Sequence, residues 1–159
     1  MDIIKATERL MTMDDATWAR HANPLSVYSR FTTLPLLTLA IWSRVWFGWW
    51  CLIPIALTIL WIWYNPRAFN PPQSTANWAS RVTLGERIYL NRKATPIPEH
   101  HLVILKVITG MATVSVVILV YGLVVLNVWA TVCGMLLSII TKLWFVDRMV
   151  WLYMETPKA

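Results

Sequence analysis

Residues 107–141 read VITGMATVSVVILVYGLVVLNVWATVCGMLLSIIT, a stretch of 35 residues without a charged side chain. A membrane-spanning helix needs about 20 apolar residues, so this block is long enough for two helices. One straight helix of this length would measure about 52 Å, whereas the hydrocarbon core of a bilayer is about 30 Å thick. The stretch therefore predicts a helical hairpin, with helices over 101–121 and 126–146 and a turn at Tyr121-Gly122 or Asn127.

A second apolar block, residues 31–64, carries Arg44 as its only charged residue. It is also too long for one span, and Arg44 and Gly48 mark the position where the chain is able to turn. We expect helices over 28–44 and 49–64. Together the two blocks predict an all-α, polytopic membrane protein whose four transmembrane helices form two hairpins, accompanied by interfacial amphipathic helices.

The composition of the whole chain agrees with this class. Of 159 residues, 57% are hydrophobic and 14% charged, whereas a soluble domain has about 25% charged residues. The 11 Trp residues are typical of rings that collect at membrane interfaces. The two cysteines, Cys51 and Cys133, lie in the apolar blocks without metal or redox spacing. A soluble enzyme domain and a disulfide framework are therefore excluded.

The four predicted helices divide a single membrane domain into five segments. These are an interfacial arm (1–27), the first transmembrane hairpin (28–64), a loop (65–100), the second transmembrane hairpin (101–146) and a tail (147–159).

The arm carries Ile4, Met11 and Trp18 at a spacing of seven residues, and Asp14 or Asp15 is a candidate cap for a short helix around Trp18. This pattern suits an interfacial amphipathic helix or an arm that packs on the bundle.

In the loop, residues 75–92 allow either a helix capped by Ser74 or Thr75 or a strand with alternating apolar residues. The helix is favoured, because a lone strand pair would expose open edges.

The positive charge is sorted to one side of this topology. The net charge is +6, and every Lys and Arg except Arg44 lies on or near the side shared by the arm, the loop and the tail, with Lys106 and Lys142 one turn inside the spans. The positive-inside rule then places both termini in the cytoplasm, and we expect a protein of the inner membrane. Nucleic-acid binding is not expected, since the basic residues are few and separated by apolar blocks.

Sequence motifs for catalysis, transport or cofactor binding are missing. No G-x-S-x-G motif occurs, and the apolar blocks contain no carboxylate of the kind that coupled transporters use. Glu99, His100 and His101 are weak candidates for acid/base groups or ligands. Adjacent histidines on a helix point about 100° apart, so they do not form the i, i+4 pair of helical metal sites. We therefore predict no metal and no cofactor.

The predicted binding surface consists of polar residues on the basic side, which we call the polar cap: Arg20, His21, Arg30, Arg81, Glu86, Arg87, Asp147 and Arg148. Within it, Arg81 and Arg87 with Asn77 are candidates for binding a phosphate group, because the guanidinium fork matches phosphate oxygens. The structural alternative is that Glu86 pairs with Arg30 or Arg148.

The favoured function is a non-enzymatic accessory, assembly or lipid-interacting subunit. Its polar cap would meet anionic lipid headgroups, another membrane protein or a second copy of the chain. The alternative is a small membrane enzyme or carrier that acts on a lipidic or phosphorylated substrate at the cytoplasmic interface. Its acid/base or ligand candidates are His21, Glu86, Glu99, His100 and His101.

Several short strings resemble those of a family of small prokaryotic integral-membrane proteins that is known only as a domain of unknown function. They are WARHANP (18–24), NPRAF (65–69), NWASR (77–81), GER (85–87) and KLWFVDRMVW (142–151). The resemblance spans nearly the whole chain. It implies no activity, cofactor or catalytic residue, and it marks the polar residues outside the spans as the ones to test.

Overall fold

The computed structural model describes residues 13–92 and 96–156, and every regular element in them is helical. The helices are α1 Asp15–His21, α2 Pro24–Arg30, α3 Thr33–Trp42, α4 Arg44–Phe47, α5 Leu52–Ala68, α6 Trp78–Leu90, α7 Glu99–Val125 and α8 Val128–Glu155, with a 3-10 turn over Gly48–Cys51. The all-α prediction is thereby confirmed. Three segments are long and apolar enough to cross a membrane: Pro24–Ala68, Glu99–Val125 and Val128–Glu155.

The sequence predicted the N-cap residues of α1 and α6, and only the prediction for α1 is confirmed. Asp14 caps α1, since its side chain accepts a hydrogen bond from the Thr17 amide at 2.7 Å. The loop forms a helix, as favoured, but Asn77 caps α6 in place of Ser74 or Thr75. Ile4 and Met11 of the arm lie outside the described residues.

Helices α7 and α8 are joined by a short turn and pack against each other, and both run further than predicted. The chain turns at Leu126, which has a left-handed φ of 56°, and the Asn127 side chain caps α8 by accepting from the Ala130 amide at 2.9 Å. Of the two predicted turn positions, Asn127 is the one used, and Tyr121-Gly122 lies within α7.

Small residues allow α7 and α8 to pack closely. A Cβ on Gly122 would lie 2.4 Å from the Thr131 nitrogen, and one on Gly134 would lie 2.4 Å from the Leu119 nitrogen. The Ser138 hydroxyl bonds that of Ser115 across the same interface at 3.0 Å. Close backbone approach of this kind drives helix association in lipid, where the hydrophobic effect between helices is absent.

The segment from α2 to α5 folds back on itself. Gly48 has φ 53° and ψ −129°, a conformation that is open essentially only to glycine. Beyond it α5 returns alongside α3, and the Ser26 hydroxyl donates to Asn65 Oδ1 at 2.8 Å. At the turn, Arg44 donates to the carbonyls of Leu123 and Val124 at the end of α7. A cation is favourable there, because the C-terminus of a helix carries partial negative charge.

The two ends of the bundle differ in chemistry. The end with the Gly48 turn exposes the rings of Trp49, Trp50 and Trp129, which are 86%, 74% and 83% accessible. Among the described residues, Arg44 is the only charged residue at that end. The opposite end gathers α1, α2, α6 and the C-terminal half of α8, which carry the polar cap. This separation agrees with the predicted sorting of charge.

Candidate functional site

The polar cap is held together by the close approach of α6 to α8. A Cβ on Gly85 would lie 1.9 Å from the Met149 carbonyl oxygen, so only glycine allows this spacing. Val82 packs beside it against Val146 and Val150. The side chain of Glu86, which follows Gly85 on α6, faces α2 and α8.

At the centre of the polar cap, Glu86 lies between two cations. Its Oε2 is 3.5 Å from Arg30 Nη1 and its Oε1 is 3.5 Å from Lys142 Nζ, and its side chain is only 15% exposed. Burial acts to raise the pKa of Glu86, but Lys142 and Arg30 outweigh it and lower the pKa below its ordinary value. Of the two partners predicted for Glu86, Arg30 is present and Arg148 is not. Sequence reasoning missed Lys142, since this residue is 56 positions away and was expected to reach toward the interface.

A series of hydrogen bonds begins at Arg30 and continues through His21, Ser26 and Asn65. Its guanidinium can only donate, so His21 accepts at Nε2, 2.5 Å from Arg30 Nη1. His21 then carries its proton on Nδ1 and donates to the Ser26 hydroxyl at 3.3 Å. Ser26 donates to Asn65, and Asn65 Nδ2 donates to the Ser29 hydroxyl at 2.6 Å. The series connects α1, α2 and α5.

His21 is kept neutral within this series of hydrogen bonds. It is 6% exposed, and burial, followed by the charge of Arg30, lowers its pKa from 6.5 to about 3. Its backbone carbonyl accepts from the Thr83 hydroxyl at 3.3 Å, which fixes α1 against α6. His21 is thus a neutral hydrogen-bond relay that fastens the polar cap, and its protonation would disrupt the network.

The remaining members of the polar cap are more peripheral. Arg87 forms an ion pair with Asp15 of α1. Asp147 accepts from the indole nitrogens of Trp78 and Trp151 at 3.4 and 3.3 Å. Arg148 lies 5.7 Å from the centre of the Trp151 ring, and Arg20 is exposed at the end of α1.

Arg81 lines a cleft of ≈ 380 Å³ between the start of α6 and the end of α8. The other lining residues are Ser74, Thr75, Ala76, Tyr153 and Met154. The hydrogen-bond partner of the Arg81 guanidinium in the described part of the chain is the sulfur of Met154, 3.9 Å away. The phosphate site predicted from Arg81, Arg87 and Asn77 is not assembled, because Arg87 pairs with Asp15 and Asn77 caps α6.

A second polar cluster lies where α7 begins and α8 ends. The Nε2 atoms of His100 and His101 are each 3.1 Å from Glu155 Oε2, and the two ring centres are 4.3 Å apart. The sequence predicted that adjacent histidines would point apart on the helix. In the structure both rings contact the same oxygen of Glu155, which belongs to the neighbouring helix. Glu99 is exposed and lies outside this cluster. No signal in the sequence identified Glu155, which was assigned to the tail.

Comparison with known proteins gives a family without an assigned activity. No curated protein and no solved structure matches the chain. A family of unknown function, DUF6653, matches residues 4–159. The chain therefore belongs to the DUF6653 family.

Proposed function

We propose that the protein is a multi-pass inner-membrane protein that crosses the bilayer four times, with the polar cap and both termini at the cytoplasmic face. The first hairpin supports this topology. Arg30 lies near Lys142 at the polar cap, and Arg44 reaches the end of α7 at the opposite end of the bundle. The separation of 14 positions between these arginines would cover about 21 Å as a helix, which matches the rise of α8 from its start to Lys142. The positive-inside rule supports the orientation.

Within the polar cap, the cleft at Arg81 is proposed to bind an anionic lipid headgroup, and the protein is proposed to act as a non-enzymatic, lipid-interacting accessory subunit. The observation that carries this proposal is the Arg81 cleft. The cations Arg30 and Arg87 are paired with carboxylates of the same chain, whereas Arg81 faces a cleft with the hydroxyl-bearing Ser74 and Thr75. A guanidinium beside hydroxyl donors suits a phosphodiester, which presents several acceptor oxygens and one negative charge.

The proposal is tested by native mass spectrometry of the protein released from nanodiscs that contain phosphatidylglycerol and phosphatidylcholine. We expect retained phosphatidylglycerol, and we expect Arg81→Glu to reduce its occupancy about tenfold, which corresponds to one lost charge-assisted hydrogen bond. Arg20→Glu is the matched control, because it makes the same charge change on an exposed arginine that does not line the cleft.

Equal losses in Arg81→Glu and Arg20→Glu would reduce the interaction to nonspecific surface charge and overturn the assignment to the cleft. Retention of phosphatidylglycerol by Arg81→Glu, with loss of a copurifying protein, would assign the cleft to a protein partner instead.

A further inference from the structure

We propose that His100, His101 and Glu155 form a binding site for one divalent transition-metal ion of the Zn²⁺ class, at the end of the α7–α8 hairpin. The site is separate from the Arg81 cleft, and nothing in the proposed lipid binding requires it.

The distances between the candidate ligand atoms fit such an ion. Both Nε2 atoms lie 3.1 Å from Glu155 Oε2, and the three residues each offer one ligand atom within 4.8 Å of the other two. With metal–ligand bonds of about 2.0–2.1 Å, two ligand atoms are about 3.0 Å apart at a right angle and about 3.4 Å apart at a tetrahedral angle. The two nitrogen–oxygen distances therefore already match edges of a coordination polyhedron.

The atoms that converge here need a proton or a metal ion between them. An unprotonated imidazole nitrogen and a carboxylate oxygen repel each other at 3.1 Å unless a proton or a cation lies between them. Without a metal, Glu155 favours a proton on His101 Nε2, because a carboxylate only accepts hydrogen bonds. His101 Nδ1 is buried and has no hydrogen-bond partner within the described residues, so no acceptor occupies it and it is able to take the proton when Nε2 binds a metal. His101 Nε2 is therefore able to present its lone pair to a metal.

The three ligands combine a fixed member with two accessible ones. The His101 side chain is 1% exposed and lies one turn before Leu105, which packs with Met149 and Leu152 of α8. The side chains of His100 and Glu155 are 61% and 43% exposed, so an ion is able to enter from solvent. A buried ligand on a packed helix lowers the cost of organising the site when the ion binds.

The donor atoms select the class of metal. Two imidazoles and one carboxylate suit Zn²⁺ and the neighbouring divalent transition metals, whereas Ca²⁺ and Mg²⁺ prefer oxygen ligands alone. Three protein ligands leave at least one coordination position for water or a further ligand, as in zinc sites of the open type.

The test is a Zn²⁺ titration of the full chain, purified in detergent without a polyhistidine tag and treated with a chelator beforehand. Bound metal is measured by equilibrium dialysis and elemental mass spectrometry. We expect one Zn²⁺ per chain, and we expect His100→Ala and Glu155→Gln each to weaken binding by about tenfold or more. Glu99→Gln is the matched control, because it removes the adjacent exposed carboxylate that lies outside the cluster.

Folding is checked separately from metal binding. His100 and Glu155 are chosen because they are exposed, and far-ultraviolet circular dichroism should be unchanged in both variants. Co²⁺ serves as a second probe, since its visible absorption reports nitrogen and oxygen coordination and should disappear in His100→Ala. Lack of stoichiometric Zn²⁺ binding by the wild-type chain, or equal binding by folded His100→Ala and Glu155→Gln, would overturn the proposal and leave a hydrogen-bonded cluster.

Discussion

Acidification should weaken the fold through His21, and the size of this effect follows from its environment. The pKa of His21 falls from 6.5 in the unfolded chain to about 3 in the folded protein, because the ring is buried and faces Arg30. Between these values the unfolded chain binds one proton more than the folded protein, so stability rises with pH across this window. Lowering the pH from 7 to 5 should therefore cost about 2 kcal/mol of unfolding free energy through this residue alone.

The measurement is SDS-induced unfolding in detergent micelles at pH 7 and pH 5, followed by circular dichroism, for the wild-type chain and His21→Gln. Glutamine keeps a polar side chain near Arg30 but does not titrate. The quantity of interest is the difference in pH dependence between the two proteins, because every other ionisable group is common to both. We expect the wild-type chain to lose about 2 kcal/mol more than the variant over this interval.

Equal pH dependence in the two proteins would refute this reasoning. It would mean that His21 is protonated in the folded protein, or that water reaches the ring and restores an ordinary pKa. In the first case Arg30 and His21 would both be donors and the hydrogen bond between them would be lost, and in the second the ring would not be buried as described.

Three further substitutions test the packing and the ion pairs by the same unfolding assay at pH 7. Glu86→Gln should destabilise the protein by about 3 kcal/mol, since two cations lose their counter-ion. The control substitution Glu99→Gln, at an exposed site, should change stability by less than about 0.5 kcal/mol. Equal effects would mean that the ion pairs of Glu86 do not stabilise the fold. Gly85→Ala should lower the free energy of unfolding by about 3 kcal/mol, because the new Cβ meets a backbone carbonyl of α8. In the control Gly110→Ala the new Cβ would meet nothing within 4 Å, so the protein should not be destabilised. A tolerated Gly85→Ala would contradict the close approach of α6 to α8. Arg44→Gln should cost about 1 kcal/mol by removing the cation at the end of α7, and an unchanged unfolding midpoint would show that this contact is not formed.

The sequence was most informative where hydropathy and helix signals act locally. The uncharged stretch predicted two helices joined by a turn at Tyr121-Gly122 or Asn127, and the turn lies at the second of these positions. The sequence interpretation placed Asn127 inside the helix over 126–146, although an asparagine that caps a helix is recognised from neighbouring residues alone. The end of α8 was placed too early, at 146. Hydropathy reports where the apolar stretch ends, and α8 continues through the charged residues Asp147 and Arg148 because its other side packs against α6.

The polar contacts were predictable only in part, because their partners are distant in sequence. The pairing of Glu86 with Arg30 was one of two open alternatives, and charge complementarity could not choose between them. Lys142 and Glu155 were missed as partners, since each depends on where α8 lies relative to α6 and α7. Spacing along one helix predicts only the directions in which His100 and His101 leave the backbone, and it could not include a carboxylate from the neighbouring helix.

The uninterrupted length of α8 has a mechanical consequence. Its 28 residues extend about 42 Å, some 12 Å more than the hydrocarbon core of a bilayer. Gly134 and Ser138, which contact α7 deep in the bundle, therefore belong to the same rigid rod as Asp147 and Glu155 at its end. A ligand that displaces the outer two turns of this rod has no hinge within α8 to absorb the movement. The displacement would pass directly to the interface with α7, so ligand binding at the end of α8 would move the helix contacts inside the membrane.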